Sequence, residues 1–398
     1  MAINATRAKD FNRSRVLNAI RRGNNLSRNE IAEEIGLTPP AVGNLVSELI
    51  RDGLVRELGR RSPQRGQPPI ELELCPEGAY ALGLLLERSL IAGVLVNLAG
   101  EVIAQRELQL ETTPSPKEAL QHLTAIVKEL NQLPYSTKLL GVGLATFGPL
   151  DLEAGTISTP QFSDEWIKIP LRDQLAEATG LTVYLDNDAT AAAIGEYWYG
   201  FGRDYPNYLY INFCDGLGGG LFMHGRAYRG ASLNAAELGH FLVTYEAKTI
   251  FLEEVVSLQA FAKRLEFGGH PLIELEQRFA RQDKALFKLL DESARLLAQV
   301  VSSIDHLLDL DAIILGGQAS KALFQHLLDL IVAYAEPFRM KGKTHRCQFV
   351  LGQTGAQGAA LGAASLPLYD TFVRPARMTT GQVFSSSQEE VMTEGERR

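Results

Sequence analysis

Four groupings of residues in this 398-residue chain have types and spacing suited to chemistry. Asp186-Asn187-Asp188 stands at the end of an apolar run and directly before a helical one. An aspartate there can take a proton from a hydroxyl while the asparagine orients it. The same triplet also serves as an ordinary strand-to-helix cap. Gly216-Leu217-Gly218-Gly219-Gly220 can let backbone amides approach a phosphate, or simply turn a hairpin. Glu237-Leu238-Gly239-His240, with Glu253 further on, combines carboxylates with an imidazole, a set that suits hydrogen bonds to sugar hydroxyls, although a single histidine is more often structural. Leu315-Gly316-Gly317 follows a strand-like run, where glycines admit a nucleotide or make a turn.

These groups need strands and helices to hold them. Strand-like runs cover 79–86, 90–98, 102–110, 139–145, 183–186, 208–213 and 312–315; helical patterns cover 115–130, 171–179, 189–199 and 293–308. Strands alternating with helices, with glycine turns at strand ends, imply α/β layers. The length calls for two or three domains. No run of eighteen apolar residues occurs, so no membrane insertion is expected. The polar first ten residues lack an apolar leader, and three scattered cysteines (Cys75, Cys214, Cys347) suit a cytoplasmic thiol setting.

The net charge of −8 is unevenly spread. Residues 1–70 carry twelve Arg or Lys against seven Asp or Glu, a net +5, which leaves −13 on the rest. A basic head on an acidic body suits a DNA-binding module joined to something else. Within the head, 10–22 reads as a helix carrying Phe11, Val16, Leu17 and Ile20 inward. Ser27 and Glu30 form a capping box for a helix over 28–35. Gly36-Leu37 turns, and Thr38 caps a third helix over 39–52, whose buried stripe is Ala41, Val42, Leu45, Leu49 and Ile50. Two short helices about a glycine turn are a helix-turn-helix. Strand-like 54–58 and 70–74 flank the basic loop 59–69 and complete a winged helix. Pro40, Asn44 and Ser47 lie on the polar side of the third helix, where bases are read, with Ser27, Arg28 and Thr38 as further DNA contacts. Arg60, Arg61 and Arg65 on the wing suit phosphate or the minor groove. The plainer alternative is a solvated three-helix bundle with an exposed basic loop.

Taken in order, these motifs resemble the ROK family (repressors, open reading frames and sugar kinases), and its repressor branch in particular. The resemblance runs over about residues 10–365. It is carried by Gly148-Pro149-Leu150-Asp151, Asp186-Asn187-Asp188 with Glu196, and the stretch from Gly216 through Gly225-Arg226 and Arg229-Gly230 to His240. It implies an α/β chain: a winged helix-turn-helix over 1–74, a two-lobed actin-like, hexokinase-like sugar-binding domain with lobes at 75–195 and 196–370, and a disordered tail over 371–398. The C-terminal helix can return to the first lobe. By the same resemblance Asn187, Asp188, Glu237, His240 and Glu253 bind a sugar, with Asp188 at the position of the kinase base. Gln161, before Trp166, stands where the family usually has Asn, which leaves the sugar's identity open.

Two departures bear on activity. The family's kinases open with an Asp-x-Gly-Gly-Thr phosphate loop, matched here by Leu85, Glu87, Arg88 and Ser89, so the glycines and the expected acid are lost. Asp215 replaces the threonine before the second glycine loop. Phosphoryl transfer rests on positioning and charge stabilisation, so no enzyme activity and no cofactor are expected. Many relatives also hold zinc through a histidine and three cysteines. The stretch 241–252 has no cysteine, and His240 alone cannot build a tetrahedral site, so no metal is expected. The resulting reading is a cytoplasmic, sugar-responsive repressor. Its partners are operator DNA, a sugar or sugar phosphate effector and a second copy in a homodimer or higher homo-oligomer. Rivals are a sugar kinase fused to a DNA-binding module, and a regulator controlled by a sugar-transporter protein.

Overall fold

A computed structural model describes residues 5–23, 25–60, 69–110, 112–132, 138–159, 163–342 and 345–372. The chain divides into two compact units, one of residues up to Cys75 and from Leu368 onward, the other Pro76–Pro367.

The first unit holds α1 (Ala5–Arg22), α2 (Arg28–Ile35), α3 (Pro39–Arg51), β1 (Val55–Arg60) and β2 (Ile70–Leu74), the two strands antiparallel. The Ser27 capping box forms in full: the Ser27 hydroxyl accepts the Glu30 N–H and the Glu30 carboxylate accepts the Ser27 N–H at 2.7 Å. Gly36 ends α2 in the left-handed region, at φ 65°. Thr38 occupies the N-cap of α3 in extended geometry, but its side chain makes no cap bond there. Pro39 and Pro40 open the helix instead; proline has no N–H to leave unsatisfied at that end. Val16, Leu17, Ile20, Ile31, Val42, Leu45, Val46, Leu49 and Leu72 pack as the core. The expected stripes need adjustment. Val46 is buried where Ala41 and Ile50 are only partly so, and Phe11 is exposed, with the Arg15 guanidinium over its ring.

The second unit begins with β3 (Tyr80–Leu86), β4 (Leu90–Asn97), β5 (Val102–Gln109), α4 (Pro116–Asn131), β6 (Leu139–Thr146), a small hairpin of β7 (Leu150–Asp151) and β8 (Thr156–Ile157), α5 (Leu171–Thr179), β9 (Val183–Asn187) and α6 (Asp188–Tyr199). It continues with β10 (Tyr208–Phe213), β11 (Leu217–Met223), β12 (Arg226–Ala227), a hairpin of β13 (Leu242–Tyr245) and β14 (Lys248–Phe251), α7 (Leu258–Arg264), α8 (Pro271–Ala280), α9 (Lys284–Leu308), β15 (Ala312–Gly317), α10 (Lys321–Ala335), β16 (Gln348–Leu351) and α11 (Gly358–Phe372).

Two five-stranded sheets result, ordered β5-β4-β3-β6-β9 and β12-β11-β10-β15-β16. They are one design used twice. In each, three strands run as an antiparallel meander and two more add in parallel beside the first strand. Each sheet has its own core. Leu82, Leu84, Val142 and Leu144 pack on α4 and α5, while Leu209, Ile211, Phe213, Ile313 and Leu315 pack on α9 and α10. The opposite face of the first sheet receives α11 at very close range. A Cβ on Gly83 or Gly143 would collide with the backbone of Ala360 or Ala363, so only glycine allows the helix to sit there.

Candidate functional site

On the winged helix, Thr38, Pro40, Asn44 and Ser47 are all exposed, and the last three follow one face of α3 at helical spacing. The Ser47 hydroxyl donates to the Gly43 carbonyl at 2.8 Å. Gly43 lies beside this face with open space above it, a gap that permits close backbone approach and that composition alone did not flag. Arg28 is held by Glu57 at 2.7 Å. Ser27 is 4% exposed and its hydroxyl is spent on the cap, so it braces α2 and does not face outward. Arg60 ends β1, and nothing is described of its side chain; Arg61 and Arg65 lie outside the described residues. Gln161 and the tail from 373 do as well.

The second site forms in Pro76–Pro367 where strand ends of both sheets converge. β9 delivers Asp186-Asn187 and α6 starts at Asp188. Asp186, 1% exposed, is gripped by both terminal nitrogens of Arg229, at 2.6 and 2.5 Å. Asn187 caps α6, its Oδ1 accepting the Ala189 and Thr190 N–H groups at 3.0 and 3.3 Å, so that its amide nitrogen is the atom left to face a ligand. Asp188, 9% exposed, accepts the Ala189 N–H at 2.8 Å, and its other oxygen faces the Cys214 thiol at 3.8 Å. Burial, reinforced by Glu237, lifts its carboxyl to about 6 despite these bonds. A carboxylate poised near neutrality is what hydroxyl deprotonation needs.

Glu237, His240 and Glu253 do come together. His240 Nδ1 lies 3.4 Å from Glu237 and its Nε2 4.0 Å from Glu253, with Phe251 edge-on to the ring. The imidazole is half exposed, and burial pushes the Glu237 carboxyl up. The hairpin β13–β14 fills the segment 241–252. Glu196, buried, serves architecture: it accepts the Thr354 N–H and hydroxyl at 2.8 and 2.7 Å and the Phe201 N–H at 3.1 Å.

Of the two readings of the glycine run the hairpin holds, and one expectation needs correction. Gly218, Gly219 and Gly220 lie within β11, paired antiparallel with β10, and do not form an open phosphate loop. The missing side chains of Gly218 and Gly220 let Ala189 and Ala193 of α6 pack against the strand, and that of Gly219 makes room on the other face for Ala236 and Leu238. The acid of the first turn is not lost but displaced. Glu87 lies in the cleft, 5% exposed, its carboxylate accepting from Gln318 Nε2. Burial and the neighbouring Asp188 and Asp215 raise the Glu87 carboxyl far above its usual range, and burial with the same carboxylates raises the Cys214 thiol. A charge directly after the apolar run 84–86 was the signal available for Glu87. Donor atoms of Glu87, Asp188 and Cys214 lie within 4.8 Å of one another, a set able to hold a cation when ionised. Here the thiol keeps its proton and directs it at Asp188.

A family model described as "ROK family" matches residues 83–369, and one described as "MarR family" matches 10–66. Among curated proteins, a putative xylose repressor of Caldicellulosiruptor sp. (strain Rt8B.4) is 31% identical over 64% of this chain and 64% of its own length. The chain thus spans under two thirds of that relative. A glucokinase of Thermotoga maritima is 32% identical over 49% of this chain and 70% of its own. Among solved structures, a transcriptional regulator of the same family, titled a homologue of the E. coli MLC protein, superposes with a TM-score of 0.69 at 22% identity, over 92% of this chain and 98% of that one. That likeness fixes the fold: a winged helix followed by an actin-like sugar-kinase architecture. Among the described residues no helix is long and apolar enough to cross a membrane.

Proposed function

The chain belongs to the ROK family, and on that premise we propose that it is a sugar-responsive DNA-binding transcriptional regulator, a repressor released by its ligand. The observation that carries the proposal is one chain's pairing of an exposed α3 face with a kinase-like cleft whose phosphate side has changed chemistry. Thr38, Pro40, Asn44 and Ser47 present polar and small groups outward on α3, the face a helix-turn-helix lays in the major groove. In the cleft, Asn187, Asp188, Glu237, His240 and Glu253 supply acceptors and donors for sugar hydroxyls. Glu87 and Asp215 stand on the two turns where a kinase would cradle phosphate, so the protein transfers no phosphoryl group. Two copies bind two operator half-sites in the cytoplasm. The sugar favours one of two states of the kinase-like unit and so changes half-site spacing, which requires different affinity for the two states. The name of the xylose repressor relative makes a pentose the first effector to try.

An anisotropy titration against operator fragments selected by the protein, repeated with pentoses, hexoses and their phosphates, tests this. Specific binding relieved by one sugar supports the reading. Specific binding indifferent to every sugar favours control by a transporter protein. No specific binding refutes it. Because Asp188 keeps a base-like position near neutrality, sugar-dependent ATP turnover is measured alongside, and turnover above background would favour the kinase.

A further inference from the structure

The duplicated sheet design brings two equivalent turns to one cleft. Glu87-Arg88-Ser89 joins β3 to β4, closed by the Glu87 N–H on the Leu90 carbonyl at 2.8 Å. Cys214-Asp215-Gly216 joins β10 to β11, closed by the Cys214 N–H on the Gly216 carbonyl at 3.1 Å. Each turn carries a buried carboxylate. Asp215 is 8% exposed; one of its oxygens accepts from Gln259 Nε2 at 3.1 Å, and the other is buried with no hydrogen-bond partner. Glu87 accepts from Gln318 across the cleft. Each of these two side-chain amides thus gives an N–H to a carboxylate.

The charge around this space is one-sided. Glu87, Asp188, Asp215, Glu237 and Glu253 supply five carboxyl groups. Arg229 is committed to Asp186, and the half-buried Arg88 lies in the fields of Asp215 and Glu253. His240 stands between Glu237 and Glu253. A phosphate placed here would face the Asp215 carboxylate oxygen that has no hydrogen-bond partner, whereas the Glu87 carboxyl, held far above its usual range, keeps its proton and adds no charge of its own. A hydroxyl would instead donate to an acceptor that lacks a partner, the buried oxygen of Asp215.

We propose that Asp215 makes this cleft select an uncharged sugar and reject its phosphate ester. The proposal rests on the reading of the cleft as a sugar site and adds to it the charge class of the effector. It assigns Asp215 a specificity role that neither a structural cap nor a lost kinase motif would confer.

Calorimetric titration of the full chain with D-xylose and D-glucose, and with xylose 5-phosphate and glucose 6-phosphate, tests it. The expected result is binding of an uncharged sugar with its phosphate weaker by about 100-fold or more, since juxtaposed like charges cost several kcal/mol. In Asp215→Asn the ratio should fall by at least about tenfold, whereas Glu87→Gln, which replaces a carboxyl that already holds its proton, should leave it unchanged. If Asp215→Asn fails to fold, Asp215→Ser is used and the ratio must still fall. A phosphate that binds as tightly as its parent sugar overturns the proposal but leaves the sugar-sensor reading standing. A ratio unmoved in the folded Asp215 variant overturns the assignment to this residue. Binding of neither class overturns both the proposal and the reading beneath it.

Discussion

Replacing Asp188 by asparagine is expected to stabilise the ligand-free protein at pH 8 while removing its response to sugar. The carboxyl is raised from 3.8 to about 6 chiefly by burial. Each pK unit corresponds to about 1.4 kcal/mol, so holding the folded protein's Asp188 ionised costs about 3 kcal/mol relative to the unfolded chain. The sign follows from which state holds the proton more tightly, here the folded one. Its favourable contribution is complete below about pH 4 and is lost as pH rises through 6. Asparagine keeps the oxygen that accepts the Ala189 N–H but gives up the acceptor facing the Cys214 thiol, a loss of about 1 kcal/mol. The variant should gain about 2 kcal/mol at pH 8, with the gain gone by pH 4. Relief of the neighbouring Glu87, whose carboxyl Asp188 helps to raise, acts in the same direction. Urea unfolding of wild type and variant at pH 4.5, 6 and 8 measures this. Parallel stability curves, or a variant less stable at pH 8, would refute the reasoning, since an ordinary buried substitution destabilises at every pH.

Three other outcomes are expected. Arg229→Leu leaves Asp186 buried without its cation and should cost about 3–5 kcal/mol, read as a lowered urea midpoint. Gly143→Ala puts a methyl against the Ala363 carbonyl; with rigid backbone on both sides it should lose about 3 kcal/mol or more, seen as poor soluble yield or a strongly reduced melting temperature. Asn44→Ala, on an exposed helical position, should leave thermal unfolding unchanged yet weaken operator binding by about 1–3 kcal/mol, measured by anisotropy at fixed salt.

What the sequence disclosed was mostly local. The Ser27–Glu30 box and the Gly36 turn are encoded within a few residues, so α2 and α3 could be placed to within a residue. Most strands were legible because each is a short apolar run bounded by turn residues. The twofold repetition of sheet order was not, because it depends on pairings between segments scores of residues apart and leaves no shared sequence pattern. The β13–β14 hairpin was hidden for a different reason. Its turn uses Glu246 and Ala247 with φ of 49° and 61°, where such a turn normally announces itself with Asn-Gly. In the cleft, Asp188, Glu237, His240 and Glu253 were singled out from motif order, and the structure brings Glu237 and Glu253 to either side of His240. Glu87 reads in the sequence as a lost glycine of the phosphate loop, because the family's acid falls two residues earlier, at Leu85. The structural duties of Asn187 and Ser27 depend on side-chain direction, which spacing does not give.

The fit of α11 against β3 and β6 also has a consequence for how this chain is made. The central strands of the first sheet leave the ribosome early, but the helix that covers their second face begins only at Gly358. A nascent chain therefore carries an uncovered, glycine-lined sheet face until α11 has been made. The second sheet and the helices α9 and α10 that pack on its core are complete by Leu351. The later half of the domain can thus settle before the earlier half is finished. Any stop codon upstream of α11 would leave a protein with one sound lobe and one open, aggregation-prone one.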